Sequence, residues 1–327
     1  MTAEQERAAG ARELIAEAVG SDPGEVTVTT IPGGASRQAF LLEGEGGRWV
    51  IRRDPPGADD SFAPLAVEYR VIEAAAAAGV PVARPLAFEP AGGRLESAGF
   101  LMEFVAGTSV APRVLRRDDL AGARQALPGQ LGEALARIHG IDGREIAGVP
   151  TSDADPALAA CELWEGALDE VGDPLPAVEA GLRWLRLNPP PPPDRECLVH
   201  GDFRLGNLIV DEPGLAAVID WELCHVGDPA EDIGWLCIRS WRFGNDELPV
   251  AGVGSLDQLL DSYDSAGGTR PSPERLRWWE AMGNVKWAVI CARQAHDHLT
   301  GVRPSAELAS LGRRICEPEW DLLGLVA

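Results

Sequence analysis

Asp202, Asn207 and Asp220 stand within LVHGDFRLGNLIVDEPGLAAVIDWE, from Leu198 to Glu222, as three oxygen-bearing side chains among short apolar runs. LIV (Leu208 to Val210) and AAVID (Ala216 to Asp220) flank the turn signal DEPGL, so the segment reads as a β-hairpin. The hairpin puts Asn207 at the start of one strand and Asp220 at the end of the other. In an antiparallel pair those ends are neighbours. An amide oxygen and a carboxylate then converge, a donor pair that suits Mg²⁺, which takes waters and substrate phosphates as its other ligands. Asp202, on the loop five positions before Asn207, can orient a hydroxyl and accept its proton late in reaction. These are the parts of phosphoryl transfer, where the protein positions groups and neutralises charge and does little covalent work.

The interval from Asp202 to Asn207 equals that in the protein-kinase pattern H-R-D-x-x-x-x-N. Here the pattern is His200-Gly201-Asp202, with Gly in place of Arg, and Asp220-Trp221-Glu222 stands where D-F-G would. A lone H-x-D or D-W-E carries little weight, since Asp202 could cap a turn and Asp220 end a strand. The joined pattern with a hairpin between its halves is far more specific.

The surrounding elements must hold these groups in place. EVTVTTI, SRQAFLLEG and RWVIRRD read as strands separated by the turn signals PGG and EGEGG. A helix is expected from Pro64 to Ala78, then strands in GVPVARPLAFEP and SAGFLMEFV. After Gly107 the spacing turns helical, over Asp118 to His139, Pro156 to Glu170 and Pro174 to Leu187. Further helices are expected over Pro229 to Ser240, Ser255 to Ala266, Pro273 to His298 and Ser305 to Leu323. NPPPPPD (Asn188 to Asp194) reads as a stiff extended connector. The chain is thus expected to be α+β and bilobed, with a small β-rich lobe over residues 1–105 and a larger, mainly helical lobe over 106–327.

Composition bounds the function. With 45% apolar residues, the 327-residue chain can bury a real core. No apolar run approaches the roughly 18 residues that cross a bilayer. The N-terminus lacks the pattern of a signal peptide. Ala8, Ala11, Leu14, Ile15, Ala18 and Val19 instead fit one helix face, so a soluble cytoplasmic protein is expected. The six cysteines contain no C-x-x-C pair and read as reduced, mostly buried thiols. A net charge of −22 argues against nucleic acid or an anionic membrane as partner and would suit a cationic substrate. Lys286 is the only lysine, whereas arginine is abundant.

VHGDFRLGNLI and VIDWELCHVGDPAEDIGWL resemble the phosphotransferase family that holds aminoglycoside, macrolide and choline kinases. Within it the sequence is most similar to the kinase-like domains fused to some acyl-CoA dehydrogenases. The D-W-E-L and G-D-P patterns of that branch stand here as Asp220-Trp221-Glu222-Leu223 and Gly227-Asp228-Pro229. The resemblance covers most of the chain and is weakest between Ala111 and Asp194. It implies a protein-kinase-like fold with an ATP cleft between the lobes. It also implies Asp202 as the catalytic Asp, with Asn207 and Asp220 holding Mg²⁺.

Such a first lobe needs a loop over the phosphates, and IPGGASRQAF offers Gly33, Gly34 and Ser36 between two strands. It needs a cation on its third strand, usually lysine. Lys286 lies far off in a late helix; by the resemblance, which implies an arginine at this point in the related branch, Arg52 takes the place with Arg53 as competitor, and a guanidinium can grip phosphate with two parallel bonds. Alternation puts Arg52 and Val50 on one face and Trp49, Ile51 and Arg53 on the other. By the resemblance, Glu68 on the following helix orients that cation. The backbone of Glu103 and Val105 in FLMEFVAG would bond adenine, with Met102 as a gate. Either Asp228 or Asp232 is expected to brace the Asp202 loop, and Asp228 could equally cap the helix after it. His200 would brace the same loop, His139 would pack against it, and Arg204 could pair with an acid or reach the substrate.

The expected activity is Mg²⁺- and ATP-dependent phosphate transfer to a hydroxyl of a small molecule: an aminoglycoside, amino alcohol, hydroxy acid or hydroxyacyl thioester. Late helices would line the acceptor pocket, with Trp278, Trp279 and Trp287 in it or in the core. Two alternatives stay open. One is a pseudokinase that binds nucleotide without turnover. The other is a protein kinase, disfavoured because no activation segment ending A-P-E follows Asp220.

Overall fold

The computed structural model describes residues 3–31, 37–55 and 64–326, so the expected phosphate-loop residues Gly33, Gly34 and Ser36 lie outside the described residues. Helix α1 (Ala3–Val19) buries Ala11, Leu14 and Ile15 against a sheet. That sheet is built from β1 (Thr27–Ile31), β2 (Gln38–Gly44) and β3 (Gly47–Arg53), and after helix α2 (Leu65–Ala77), from β4 (Pro85–Glu89) and β5 (Gly99–Glu103). Its order is β1-β2-β3-β5-β4, antiparallel throughout. Three strands, a helix and two strands is the order the turn signals predict. The period-two alternation of β3 buries Trp49, Ile51 and Arg53 on one face and leaves Val50 and Arg52 half-buried on the other.

The second lobe is mainly helical: α3 (Ala111–Arg116), α4 (Ala121–His139), α5 (Pro156–Val171) and α6 (Pro176–Leu187). Strands β6 (Cys197–Val199), β7 (Leu208–Asp211), β8 (Gly214–Val218) and β9 (His225–Gly227) follow as two small antiparallel pairs, β6 with β9 and β7 with β8. Helices α7 (Ala230–Cys237), α8 (Leu256–Ser265), α9 (Pro273–Leu299), α10 (Ala306–Leu311) and α11 (Cys316–Val326) close the chain. Local chemistry sets the boundaries. Asp155 caps α5, Pro156 opens it and Gly172 ends it in the left-handed region. Ser272 and Pro273 do the same at the start of α9. The single helix expected over Ser305 to Leu323 is two, split by a 3₁₀ turn at Gly312–Arg314, where glycine is a poor helix former. Short α3, at the end of the joint between lobes, gave no periodic signal.

Helix α9 is the axis of this lobe. Trp278, Trp279, Val285 and Val289 are buried along it, and α5, α6, α7, α10 and α11 pack on it. Gly234 permits the α7 contact, since a Cβ there would stand 2.7 Å from the Trp279 backbone. The proline connector is pinned where Arg275 donates to the Pro191 carbonyl at 2.5 Å.

The two lobes meet where the chain leaves β5. Gly107 has φ +140°, and a Cβ there would fall 2.6 Å from Ile209 Cγ2. Thr108 and Val210 then exchange backbone bonds of 2.9 and 3.0 Å, which tie the joint to the hairpin. Among the described residues no helix is long and apolar enough to cross a membrane. All six cysteines are free thiols, five buried and Cys316 exposed.

Candidate active site

The β7–β8 hairpin pairs Leu208 with Val218, and the Ile219 N–H donates to the Asn207 carbonyl at 2.9 Å. Asn207 and Asp220 therefore flank the open end of the ladder. The Asn207 amide donates to the Asp202 backbone carbonyl at 3.0 Å and to Asp202 Oδ2 at 2.6 Å. Its nitrogen is thus committed and its oxygen turns away from Asp202. Asp220 has φ +71°, a left-handed conformation uncommon for a residue with a Cβ.

The Asp202 carboxylate is held from three sides. Besides Asn207, it accepts from Arg204 Nε at 3.0 and 3.2 Å and from the Trp235 indole N–H at 2.8 Å. Arg204, left undecided by sequence, thus pairs with Asp202, and its guanidinium stacks 4.8 Å from the Trp241 ring centre.

The loop is braced from behind. Asp232 accepts from the backbone N–H of His200 at 2.8 Å and of Gly201 at 2.9 Å. His139 Nε2 lies 3.2 Å from the same carboxylate, and its Nδ1 lies 2.9 Å from the Tyr263 hydroxyl. Burial alone would raise the Asp232 pKa, but the His139 hydrogen bond and these donors hold it below the ordinary carboxylate range. Asp232 is therefore the brace. Asp228 caps α7 by accepting from the Ala230 N–H at 2.9 Å, and it also holds Arg275 and the Trp279 indole. His200 Nδ1 accepts the Asp202 N–H at 3.1 Å while Nε2 faces the Ile219 carbonyl at 3.1 Å, so the proton sits on Nε2. Burial depresses the His200 pKa and keeps the ring neutral.

Across the cleft, Arg52 Nη2 lies 2.5 Å from Asp220 Oδ1 and 3.3 Å from Glu222 Oε2. Its Nε stands 3.3 Å from Glu68 Oε1, ion-paired but out of line for a hydrogen bond. Glu68 is fully buried and is also gripped by Arg37, which reaches Asp54 Oδ1 at 3.2 Å. Burial pushes the Glu68 pKa up, against the pull of both arginines. For Arg52 burial acts downward, and the three carboxylates outweigh it to raise the pKa. Burial would raise the Asp220 pKa too, but Arg52 brings it below the usual range. Arg53 points the other way, to Gln38, the Leu95 carbonyl and the Phe40 ring. Of the two candidate arginines, only Arg52 reaches the hairpin.

Met102 pairs with Val50 and is half-buried on β5. The Glu103 N–H donates to the Arg84 carbonyl at 2.9 Å, and the Glu103 side chain pairs with Arg84 at 2.7 Å. Val105 is half-buried in the joint after β5. Trp278, Trp279 and Trp287 all lie in the core.

The donor set fits Mg²⁺: an amide oxygen freed by the commitment of its nitrogen, and a carboxylate on the adjoining strand end. Sequence reasoning did not find Arg37, Glu222 or Trp235. Glu222 lay in plain view in D-W-E. Trp235 carried no signal, being 33 positions from the carboxylate it holds. Lys286, set aside as remote, is buried with its ammonium on the Gly201 carbonyl.

Residues 27–279 match the model of the phosphotransferase enzyme family. Acyl-CoA dehydrogenase family member 11 of Mus musculus is 27% identical over 314 residues, covering 88% of this chain and 39% of that protein. Acyl-CoA dehydrogenase family member 10 of Mus musculus is 26% identical over 316 residues, covering 88% of this chain and 28% of that protein. The chain thus spans about two fifths or less of these curated relatives. Among solved structures, one from Ralstonia eutropha JMP134, assigned provisionally as an aminoglycoside phosphotransferase, is 26% identical with a TM-score of 0.76, covering 97% of this chain and 98% of that one. Spectinomycin phosphotransferase in complex with ADP and spectinomycin shares the fold at 14% identity and a TM-score of 0.64, covering 96% and 97%.

Proposed function

The chain belongs to the phosphotransferase enzyme family, and we propose that it transfers the γ-phosphate of ATP to a hydroxyl of a small molecule. The observation that carries this reading is the meeting of both lobes at one point. Arg52 of β3 stands 2.5 Å from Asp220 at the hairpin end, and Asp202 is linked to the same hairpin through Asn207. Two lobes, residues 1–105 and 106–327, would enclose the nucleotide.

In this reading the base packs between Val50 and Met102 of the sheet and Ile209 of the hairpin. The Glu103 N–H is taken by Arg84, so the Glu103 carbonyl and the Val105 backbone are the groups left to meet adenine. Arg52, set by Glu68, turns to the phosphates and grips them through two N–H groups. Asn207 Oδ1 and Asp220 would hold Mg²⁺, whose chemistry there is to neutralise the phosphate oxygens. Asp202, fixed by Trp235 and Arg204, aligns the acceptor hydroxyl. The new O–P bond forms as the bond to the leaving ADP oxygen breaks, and the hydroxyl proton passes to Asp202.

The test is ADP release from Mg-ATP over aminoglycosides, amino alcohols, hydroxy acids and hydroxyacyl thioesters, with Asp202→Asn as control. Acceptor-dependent release that falls at least about 100-fold in Asp202→Asn, with nucleotide affinity kept, supports the kinase. Nucleotide binding with no acceptor-dependent release supports the binding-only alternative, and phosphate appearing on peptides the protein kinase.

A further inference from the structure

A cleft of about 240 Å³ opens between α5, β9 and α9, walled by Ala159, Ala160, Leu163 and Trp164 and floored by His225, Glu231 and Lys286. Its floor is continuous with the catalytic loop. The buried ammonium of Lys286 donates to the Gly201 carbonyl, one residue before Asp202. The same ammonium lies 4.6 Å from the Trp235 ring centre, and Trp235 holds Asp202 through its indole N–H. Trp164 faces it from α5 at 5.7 Å.

The floor carries a surplus of positive charge. His225 Nδ1 lies 3.0 Å from the Leu223 carbonyl and Nε2 lies 3.1 Å from the Glu231 carboxylate. Both neighbours only accept hydrogen bonds, so both ring nitrogens carry protons and the ring is an imidazolium. Lys286 stands 3.6 Å from Glu231. Two cations therefore share one carboxylate. Glu196 also lines the cleft but is paired with Arg144 at 2.5 Å. An ammonium has three donors; the Gly201 carbonyl engages one of those from Lys286, and Glu231 at 3.6 Å is ion-paired beyond hydrogen-bond distance. The Trp235 and Trp164 rings flank the ammonium without taking up the remaining donors as oxygen acceptors would.

We propose that this cleft is the acceptor site and takes an alcohol whose apolar body carries an anionic oxygen group, carboxylate or phosphate, read by Lys286. The assignment rests on the phosphotransferase reading and deepens it. The aliphatic α5 wall covers the carbon body, the cationic floor takes the anion, and the hydroxyl reaches Asp202 beside it. A polycationic acceptor, which the net charge of −22 would favour at long range, meets like charge at this floor.

The test is calorimetric titration of the full chain with hexanoate, hexyl phosphate, hexylammonium and hexanol. At least one of the two anions should bind at least tenfold tighter than the amine and the alcohol, and their order tells carboxylate from phosphate. Lys286→Met should weaken the anion at least tenfold with AMP-PNP affinity unchanged. Lys286 is buried, so charge changes at Leu163, which is 63% exposed on the rim, give a second handle without touching the core. Leu163→Glu should weaken the anion and Leu163→Lys tighten it, each by about threefold or more. Hexanoate should also compete with the acceptor found by ADP release. Equal or tighter binding of hexylammonium, rim charges without effect, or inhibition that is not competitive would overturn the assignment. Failure of anions to bind while AMP-PNP binds sinks this inference alone. Failure of AMP-PNP to bind sinks the kinase reading and leaves the cleft measurement standing.

Discussion

Asp232→Asn isolates what the buried carboxylate behind the catalytic loop does. Asp232 is fully buried and faces three donors: the His200 N–H at 2.8 Å, the Gly201 N–H at 2.9 Å and His139 Nε2 at 3.2 Å. Asparagine keeps the volume but offers one acceptor oxygen and sets an NH₂ against a backbone N–H. A charge-assisted bond contributes about 1.5–3 kcal/mol, and a stranded buried donor costs about 1–3 kcal/mol. The variant should lose one of the first and create one of the second, a destabilisation of about 2.5–6 kcal/mol. Guanidinium unfolding followed by the fluorescence of the ten tryptophans should show a lower midpoint at unchanged slope. Because the loop carries Asp202, kcat should fall at least about tenfold while AMP-PNP affinity stays within about twofold. The pH dependence carries a sign. A carboxyl whose folded pKa is lowered stabilises above about pH 4 and loses that stabilisation as pH falls through the folded value, so the acid limb should shrink in the variant. Stability within about 0.5 kcal/mol of the parent, as for a neutral surface change, would refute the assignment of Asp232 as the brace.

Arg52→Ala leaves fully buried Glu68 short of one partner and should destabilise by about 3–5 kcal/mol. Arg52→Lys should spare most stability but raise KM for Mg-ATP about tenfold or more, because an ammonium cannot make the parallel pair of bonds; an unchanged KM counts against the phosphate role. His225 is half-buried; desolvation lowers its pKa, but Glu231 raises it more, against the opposing charge of Lys286. Its stabilisation is full below about pH 6.5 and is lost as pH rises through the folded value, so His225→Gln should flatten the alkaline fall in thermal stability. A thiol reagent should find one fast cysteine, Cys316, in the native protein and six after unfolding, since burial pushes Cys161 up to about 11 and Cys224 up to about 12; a second fast thiol would contradict the burial.

The parts of the site that are legible in the sequence are those fixed by local geometry. Asp202, Asn207 and Asp220 lie within one loop and one hairpin, where a fixed interval and a two-residue turn are enough to bring them together. Strand alternation puts Arg52 and Arg53 on opposite faces without saying which face meets the cleft, and the structure turns Arg52 to the hairpin. What escaped notice depends on packing between distant segments. Lys286 meets Gly201 across 85 positions because α9 runs behind the loop, and nothing in WWEAMGNVKWAVICARQ announces that approach. Trp235 and Trp287 read alike as helical tryptophans. One holds Asp202 while the other fills the core. The net charge shows a related limit: a sum over the chain carries no position.

The N-lobe network bears on cation binding. Arg52 and Arg37 face Glu68, Asp220, Glu222 and Asp54. Asp220 and Glu222 present carboxylate oxygens on the hairpin side of the cleft, where partial burial strengthens their attraction for a divalent cation. Mg²⁺ alone, without nucleotide, should therefore raise thermal stability, with a gain near 1.4 kcal/mol when the ion is at about ten times its Kd. Asp220→Asn removes one of the two proposed ligands and should abolish that gain; because Arg52 holds the Asp220 carboxyl below the usual range, the variant should also lose some stability without Mg²⁺. Two outcomes would show that the arginines already satisfy the carboxylates and that the hairpin end has no call for a divalent ion. One is an equal gain in parent and variant, and the other is no gain in the parent at millimolar Mg²⁺.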